Sequence, residues 1–197
     1  MTTQTQAALI TPNQATLIDG YLVSGATPGV IIDGNLPTEG SHYMGIVNNI
    51  ATNAYWGTGA SAAVTLQVDL GDVYNIDDIL LSVDNNDNYL VTYSSDGVNF
   101  SNLLEILSSY GEIGSGMDTF STVAGNSEYV GALDFTSVNA QYFQISASLG
   151  DNRYSVGEIQ VYGSAISDNV HETVPEPSAL ALIGLGLLGL FGIRLKA

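Results

Sequence analysis

The chain of 197 residues contains no cysteine and only three basic residues. The lack of cysteine excludes disulfides, thiol nucleophiles and cysteine metal sites. His42 and His171 are the only histidines, so a zinc site would be short of ligands. Of the three basic residues, only Arg153 precedes residue 174. All acidic residues except Glu176 also lie before residue 174. So acidic a surface repels nucleic acid and anionic lipid headgroups, which excludes both as partners for residues 1–173.

Recognisable catalytic motifs are also missing. The sequence has no Gly-x-Ser-x-Gly elbow, no His-Glu-x-x-His pair and no phosphate-binding loop. Asp77 and Asp78 are adjacent in a predicted strand, so their side chains point to opposite faces and cannot act together. We therefore expect a protein that is not an enzyme. Its acidity either keeps an exported protein soluble, or serves to bind cations or neutral sugars.

Short runs with two-residue alternation or β-branched residues dominate the chain. They predict strands over residues 64–70, 76–83, 89–93, 103–107, 129–135, 142–148 and 155–162. Turn signals rich in Gly, Asp and Asn separate these runs, and no long amphipathic helix precedes the last 24 residues. The pattern predicts an all-β fold, an antiparallel sandwich or jelly roll.

Four regions follow from this pattern. We expect an N-terminal segment over 1–14, a sandwich over 15–163, a polar linker over 164–173 and a sorting tail over 174–197. Residues 5–9, Thr-Gln-Ala-Ala-Leu, are similar to the surroundings of a small-residue cleavage site. Our hypothesis is that a secretory leader precedes them in the full gene product.

The tail contains a long apolar run. No residue from Ser178 to Ile193 is charged, and as a helix this run would be about 24 Å long. That is short for a hydrocarbon core of about 30 Å, but Arg194 and Lys196 can snorkel to the headgroups. A buried core helix is the alternative, yet such a helix should have a polar face, and this run has none. The tail therefore predicts a membrane helix.

The order of elements in the tail resembles a known family. Val174 and the Pro175-Glu176-Pro177 stop, then the apolar run, then Arg194 and Lys196, resemble the PEP-CTERM sorting signal of exported bacterial proteins. The resemblance implies processing by an exosortase. It also implies transient anchoring in the inner membrane, followed by delivery to the cell surface or a polysaccharide matrix.

A second resemblance covers the body of the chain. Its motifs lie at 32–38 (IDGNLPT), 64–71 (VTLQVDLG), 76–79 (IDDI), 91–97 (VTYSSDG), 141–145 (QYFQI) and 154–163 (YSVGEIQVYG). In this order they resemble a discoidin domain, the coagulation factor 5/8 C-terminal type with a galactose-binding-like jelly roll. The resemblance implies that the domain binds carbohydrate.

The discoidin resemblance also implies a structural calcium ion. Carried over to this sequence, its ligands would include Asp33, Thr38 and Glu158. Calcium prefers six to eight oxygen ligands, and these residues supply such oxygens. In the alternative reading, Asp33 only shapes a turn and Glu158 only faces solvent.

The run Asp84-Asn-Asn-Asp-Asn88 begins like an EF-hand loop. Tyr89 occupies the sixth position, where an EF-hand has glycine, and Ser95 occupies the twelfth, where it has glutamate. An EF-hand is therefore excluded, and the run predicts a turn or a loop that faces a ligand.

The candidate ligand residues come from three regions. Trp56, the only tryptophan, is either a stacking platform for a sugar ring or a core residue. Arg153 either pairs with neighbouring carboxylates or donates planar hydrogen bonds to sugar hydroxyls. We expect the ligand-facing set to be Arg153, His42, Tyr43, Trp56, Asn85 and Asn88.

The sequence thus favours an exported, non-catalytic protein of the cell surface or matrix. It would bind carbohydrate, such as a polysaccharide, through the sandwich and be sorted by its tail. The alternative is a structural protein of the surface or matrix whose jelly roll has no small ligand.

Overall fold

A computed structural model describes residues 7–23, 25–57 and 64–166. Eleven β-strands and three short 3-10 turns form the described part of the chain. The strands are β1 Ala8–Ile10, β2 Gln14–Asp19, β3 Ile46–Val47, β4 Ile50–Ala51, β5 Ala54–Gly57, β6 Thr65–Asp84, β7 Asn88–Ser94, β8 Ser101–Ile106, β9 Met117–Ser121, β10 Val138–Ser148 and β11 Arg153–Ala165.

The long strand β6 takes part in both layers of an antiparallel sandwich. Its first part, residues 65–69, lies between β2 and β10, and β7 and β8 extend that layer beyond β10. Its second part, residues 76–84, lies between β9 and β11, and the other edge of β11 pairs with β1 and β5. The prediction of an all-β antiparallel sandwich is confirmed.

The strand changes layer at a glycine. Gly71 has a φ of +86°, and its N–H donates to the Asp69 carboxylate at 2.7 Å. Positive φ costs a residue with a Cβ about 1 kcal/mol or more, so glycine suits this bend. The register between β6 and β10 shifts at the same level, between Ala140 and Tyr142. Together the bend and the bulge turn β6 from one layer into the other.

The core lies between the two layers. Phe143 and Ile145 of β10, with Leu66 and Val68 of β6, are fully buried on one layer. Side chains of the other layer face them, namely Ile79, Leu81, Val83, Val156, Ile159 and Val161. Except between Val156 and Ile159, where β11 has a bulge, these residues follow the two-residue period of a half-buried strand.

Several details differ from the sequence prediction, which also did not include strands β1 to β5. The predicted strand over 129–135 is wrong, because Tyr129 makes only an isolated bridge with Ser121 and residues 131–133 form a 3-10 turn. The unpredicted strand β9 lies instead in the preceding glycine-rich stretch. The sandwich also begins before residue 15, because β1 pairs with β11.

Candidate ligand surface and acidic loop

Arg153, Tyr43 and His42 form a continuous polar and aromatic surface. The Nη1 group of Arg153 donates to the Tyr43 hydroxyl at 3.3 Å, across 110 positions of sequence. The rings of His42 and Tyr43 lie 4.3 Å apart at an angle of 31°. Arg153 and His42 are exposed and Tyr43 is half-buried. The fold therefore brings together three residues that sequence analysis had placed in the ligand-facing set.

Tyr43 is fixed to the sandwich through its backbone and its ring. Its carbonyl accepts a 2.7 Å hydrogen bond from the Ser155 hydroxyl and a 3.1 Å bond from the Asn53 side chain. Its ring lies 5.1 Å from that of Tyr55, which is buried on β5. Sequence analysis overlooked Tyr55. The strand period that buries Trp56 on one face places Tyr55 on the other, so alternation was the signal that could have identified it.

The tautomer of the neutral His42 ring follows from a backbone contact. Its Nδ1 atom accepts a hydrogen bond from the Met44 N–H at 3.2 Å. The neutral ring therefore carries its proton on Nε2. That N–H, together with the Arg153 guanidinium, offers donors beside the Tyr43 ring. Donors around an apolar ring face suit the hydroxyls and C–H faces of a sugar.

A surface groove continues from His42. It has a volume of about 310 Å³. Its lining residues are Asn35, Leu36, Pro37, Thr38, Ser41, His42, Gly45, Ile46, Val47 and Thr52. The hairpin of β3 and β4 forms one wall, with Asn48 and Asn49 at positive φ in its turn, as a tight hairpin turn requires. His42 thus lies between this groove and Arg153.

The remaining predicted ligand residues have internal partners. Trp56 is 2% exposed and packs against Tyr154, with ring centroids 5.8 Å apart. Asn85 is buried, and its side-chain amide donates to the Ile113 carbonyl. Asn88 is half-buried and accepts a 3.1 Å hydrogen bond from the Ser108 N–H. In this structure Trp56 belongs to the core, and the two asparagines hold loops together.

Two of the three predicted calcium ligands, Asp33 and Glu158, lie near one another. Asp33 shapes the turn, because its carboxylate accepts from the Asn35 N–H at 2.9 Å. Glu158 reaches this turn from β11, and its Oε1 accepts from the Gly34 N–H at 3.1 Å. Burial, followed by the charge of Asp33, raises the pKa of Glu158 to about 7. Its Oε2 is buried without a hydrogen bond. Thr38 is exposed at the end of the same loop.

A bulge in β11 turns Glu158 toward that loop. The register between β11 and β6 shifts between Val156 and Glu158. Gly157 lies at the bulge, where a side chain would collide with the Pro37 ring. Because the bulge changes the alternation, Val156 and Ile159 both face the core while Glu158 faces the Asp33 turn.

The turn between β6 and β7 forms an acidic loop, residues 84–87. Asp84 and Asp87 are each 1% exposed. Burial, reinforced by neighbouring carboxylates that include Asp151, raises the pKa of Asp87 to about 8 and that of Asp84 to about 6. Sequence analysis predicted a turn or a ligand-facing loop here. The loop is a turn, and its side chains point into the protein.

The sorting-signal residues Val174, Pro175, Glu176, Pro177, Arg194 and Lys196 lie outside the described residues, as does the predicted membrane helix. Within residues 7–23, 25–57 and 64–166, no helix has the length and apolarity needed to cross a bilayer.

Comparison with known families gives two matches. Residues 24–160 match the F5/8 type C domain, and residues 173–196 match the PEP-CTERM protein-sorting motif. The second match confirms the interpretation of the tail as a sorting signal of an exported, surface-directed protein. Among curated proteins no relative matches the chain.

Several solved structures share the sandwich. Truncated AlyQ with CBM32 and alginate lyase domains has a TM-score of 0.52 at 13% identity, over 81% of this chain and 34% of that one. A fucolectin from the serum of striped bass, Morone saxatilis, has a TM-score of 0.52 at 17% identity, over 81% and 49%. The lectin binding domain of lectinolysin, a His 62 mutant complexed with Lewis b, has a TM-score of 0.52 at 18% identity, over 79% and 96%. The chain thus spans about a third of the AlyQ chain and half of the fucolectin chain. At these identities the likeness concerns the fold.

Proposed function

The chain belongs to the F5/8 type C domain family, and from that premise we propose that it is an exported, non-catalytic surface protein that binds carbohydrate. The lectins and the CBM32-containing protein named above support this proposal, because they share its sandwich. The PEP-CTERM motif supports processing by an exosortase after a transient stay in the inner membrane. The destination would be the cell surface or a polysaccharide matrix.

The observation that carries the carbohydrate proposal is the surface of Arg153, Tyr43 and His42. It offers a guanidinium, a ring N–H and an aromatic face within one small area. Arginine donates two parallel hydrogen bonds, which suits neighbouring hydroxyl groups of a sugar. The strongly acidic remainder of the chain disfavours a polyanionic ligand. A neutral glycan therefore fits this surface best.

A glycan array probed with the full chain tests the proposal. Arg153→Ala should weaken binding of a retained glycan roughly tenfold or more, because loss of a charge-assisted hydrogen bond costs about 1.5–3 kcal/mol. Val98→Ala is the matched control, since Val98 is exposed in the turn after β7, at the opposite end of that strand from the acidic loop. It should leave binding unchanged.

If the chain binds no neutral or acidic glycan on the array, the result would favour the alternative, a structural protein of the surface or matrix without a small ligand. An equal loss in both variants would also count against the Arg153 surface, because it would reflect a general change in the domain.

We further propose that Asp33, Thr38 and Glu158 hold a structural calcium ion. The residues fit this role: Glu158 has a buried oxygen without a partner, and Asp33 supplies a second carboxylate beside it. A bound calcium ion would supply positive charge to both carboxylates and tie the turn to β11. Hydrogen bonding between Gly34 and Glu158 already joins the same two elements.

Calcium at this site should raise the melting temperature of the full chain, and EDTA should reverse the gain. Glu158→Gln should remove the part of that gain that belongs to this site, because the amide carries no charge. Asp19→Asn, an exposed carboxylate at the end of β2, is the control and should keep the full response. A Glu158→Gln protein that binds calcium with unchanged stoichiometry and affinity would contradict the assignment.

A further inference from the structure

Unsatisfied oxygens concentrate in the acidic loop, residues 84–87. Among the described residues, the buried side-chain atoms without a hydrogen-bond partner include both carboxylate oxygens of Asp84 and both of Asp87. The amide oxygens of Asn85 and Asn86 are orphaned in the same way. The Asn85 amide is fixed, because its Nδ2 donates to the Ile113 carbonyl. The loop therefore presents four adjacent side chains, each with at least one buried oxygen that lacks a partner.

Two buried carboxylates without partners need a compensating group. An uncompensated buried charge is among the costliest features of a folded protein. Arg153, the one basic side chain in the described part of the chain, is exposed and donates to the Tyr43 hydroxyl. Backbone N–H groups of Gly116 and Asp151 lie near Asp84 and Asp87 and hold their pKa down somewhat, without completing hydrogen bonds. The chain itself thus supplies too little positive charge.

We propose that the acidic loop binds a divalent cation, Ca²⁺, through the carboxylates of Asp84 and Asp87 and the amide oxygens of Asn85 and Asn86. Orphaned polar atoms in a native interior commonly mark a missing ion or water. Here the orphans are all oxygens, and two of their side chains are negative. This donor set defines a site separate from Asp33 and Glu158.

The donor chemistry selects the ion. Carboxylate and amide oxygens are hard ligands that suit Ca²⁺, whereas Zn²⁺ and copper prefer imidazole or thiolate. No group of three or more His, Cys, Asp and Glu residues in the described ranges is arranged to hold a metal. Neutral amide oxygens must therefore complete the shell, as they can for Ca²⁺ but not for Zn²⁺.

The turn between β10 and β11 covers this site. Gly150 lies directly over the Asp87 carboxylate, where any Cβ would collide with Asp87 Oδ1. Leu149, Gly150 and Asn152 all have positive φ, at 62°, 63° and 66°. A bulky residue such as leucine is rare in this conformation and is strained there. The turn between β10 and β11 is thus strained, and it packs directly against the acidic loop.

The same turn leads to the ligand surface. The Asp151 carboxylate accepts a hydrogen bond from the Arg153 N–H at 2.9 Å, which fixes the start of β11. Tyr89, which follows the acidic loop, is fully buried, and its hydroxyl accepts from the Ser155 N–H at 2.9 Å. A cation under this turn would therefore stabilise the segment that carries Arg153.

Calorimetric titration of the metal-free full chain with CaCl₂ tests the site. Wild type should bind one more Ca²⁺ than the Asp84→Asn/Asp87→Asn variant. Glu158→Gln should likewise bind one more Ca²⁺ than the triple variant Asp84→Asn/Asp87→Asn/Glu158→Gln. Asp87→Asn alone should weaken this site roughly tenfold or more, because the charge of the ligands sets calcium affinity. Asp19→Asn, which removes an exposed carboxylate, should bind as wild type does.

A second readout separates a cation site from a merely structural loop. In EDTA at about pH 9, where both carboxyl groups of wild type are ionised, the Asp84→Asn/Asp87→Asn variant should melt at a higher temperature than wild type, because it no longer buries two unpaired charges. On addition of Ca²⁺ wild type should gain more than this variant, which keeps only the site proposed at Asp33, Thr38 and Glu158. Equal calcium stoichiometry in the two proteins would overturn the proposal, and so would equal thermal gains on addition of Ca²⁺. Neither readout involves a glycan, so the result is independent of carbohydrate binding.

Discussion

The pH dependence of stability in the metal-free protein follows from Asp87. Burial, with the charges of Asp84 and Asp151, raises the pKa of Asp87 to about 8, against 3.8 for an ordinary aspartate side chain. The folded state therefore holds a proton between about pH 4 and pH 8 that the unfolded state has released. Stability must then fall as the pH rises through this window, because the folded state binds more protons there.

The magnitude can be worked from the width of that window. Between about pH 5 and pH 8 the two states differ by one proton at Asp87, and each pH unit corresponds to about 1.4 kcal/mol. The full effect would be about 4 kcal/mol. Water that enters the loop when the carboxylate ionises would screen the charge, so we expect about 2 kcal/mol. This is a sizeable part of the free energy of unfolding of an ordinary domain.

Urea denaturation followed by circular dichroism measures the contribution of Asp87 to the free energy of unfolding. Wild type and Asp87→Asn would be compared in EDTA at about pH 5 and about pH 9. Between about pH 5 and about pH 9, the free energy of unfolding of Asp87→Asn should fall by about 2 kcal/mol less than that of wild type. Glu158, whose pKa burial raises to about 7, contributes to the slope of both proteins and cancels in the comparison. If both proteins lose stability equally, the reasoning about Asp87 is refuted.

Three further predictions concern packing and hydrogen bonds, each measured as a change in the free energy of unfolding. Tyr89→Phe should cost about 1–3 kcal/mol, because the buried Ser155 N–H loses its acceptor; Tyr93→Phe on the same strand should cost little, and equal losses would contradict this account. Phe143→Ala should cost about 3–5 kcal/mol, because Phe143 is fully buried between the layers; a loss under about 1 kcal/mol would mean that the core is looser than described. Gly157→Ala should cost about 1–3 kcal/mol, because the new methyl group meets the Pro37 ring. Gly114→Ala, where a Cβ meets nothing within 4 Å, is its control and should cost less.

The fold could be predicted where burial follows the two-residue period. Leu66, Val68 and Leu70 alternate with polar residues in β6, so the strand was visible in the sequence. Strand β9 was not, because all of Met117–Ser121 is buried, including Asp118 and Thr119, and no alternation remains. The residues 129–135 have suitable composition for a strand, yet the 3-10 turn at 131–133 removes them from the sheet.

Some residues of the candidate sites could likewise be predicted from the sequence, and others could not. Arg153 could be identified because it is the one basic residue before the tail, and His42 and Tyr43 because they occupy a polar loop. Asp84 and Asp87 could be assigned to a turn or a ligand-facing loop, but their burial could not be predicted. A short run of Asp and Asn is typical of an exposed turn, whereas in the folded protein Asp84 and Asp87 are buried. Burial without a counter-charge is a property of the tertiary structure and leaves no pattern in the sequence.

The length of β11 separates the proposed ligand surface from the end of the described chain. Arg153 begins the strand and Ala165 ends it, so at about 3.3 Å per residue they are roughly 40 Å apart. The described chain therefore leaves the sandwich at Ile166, next to the end of β11 that is remote from Arg153.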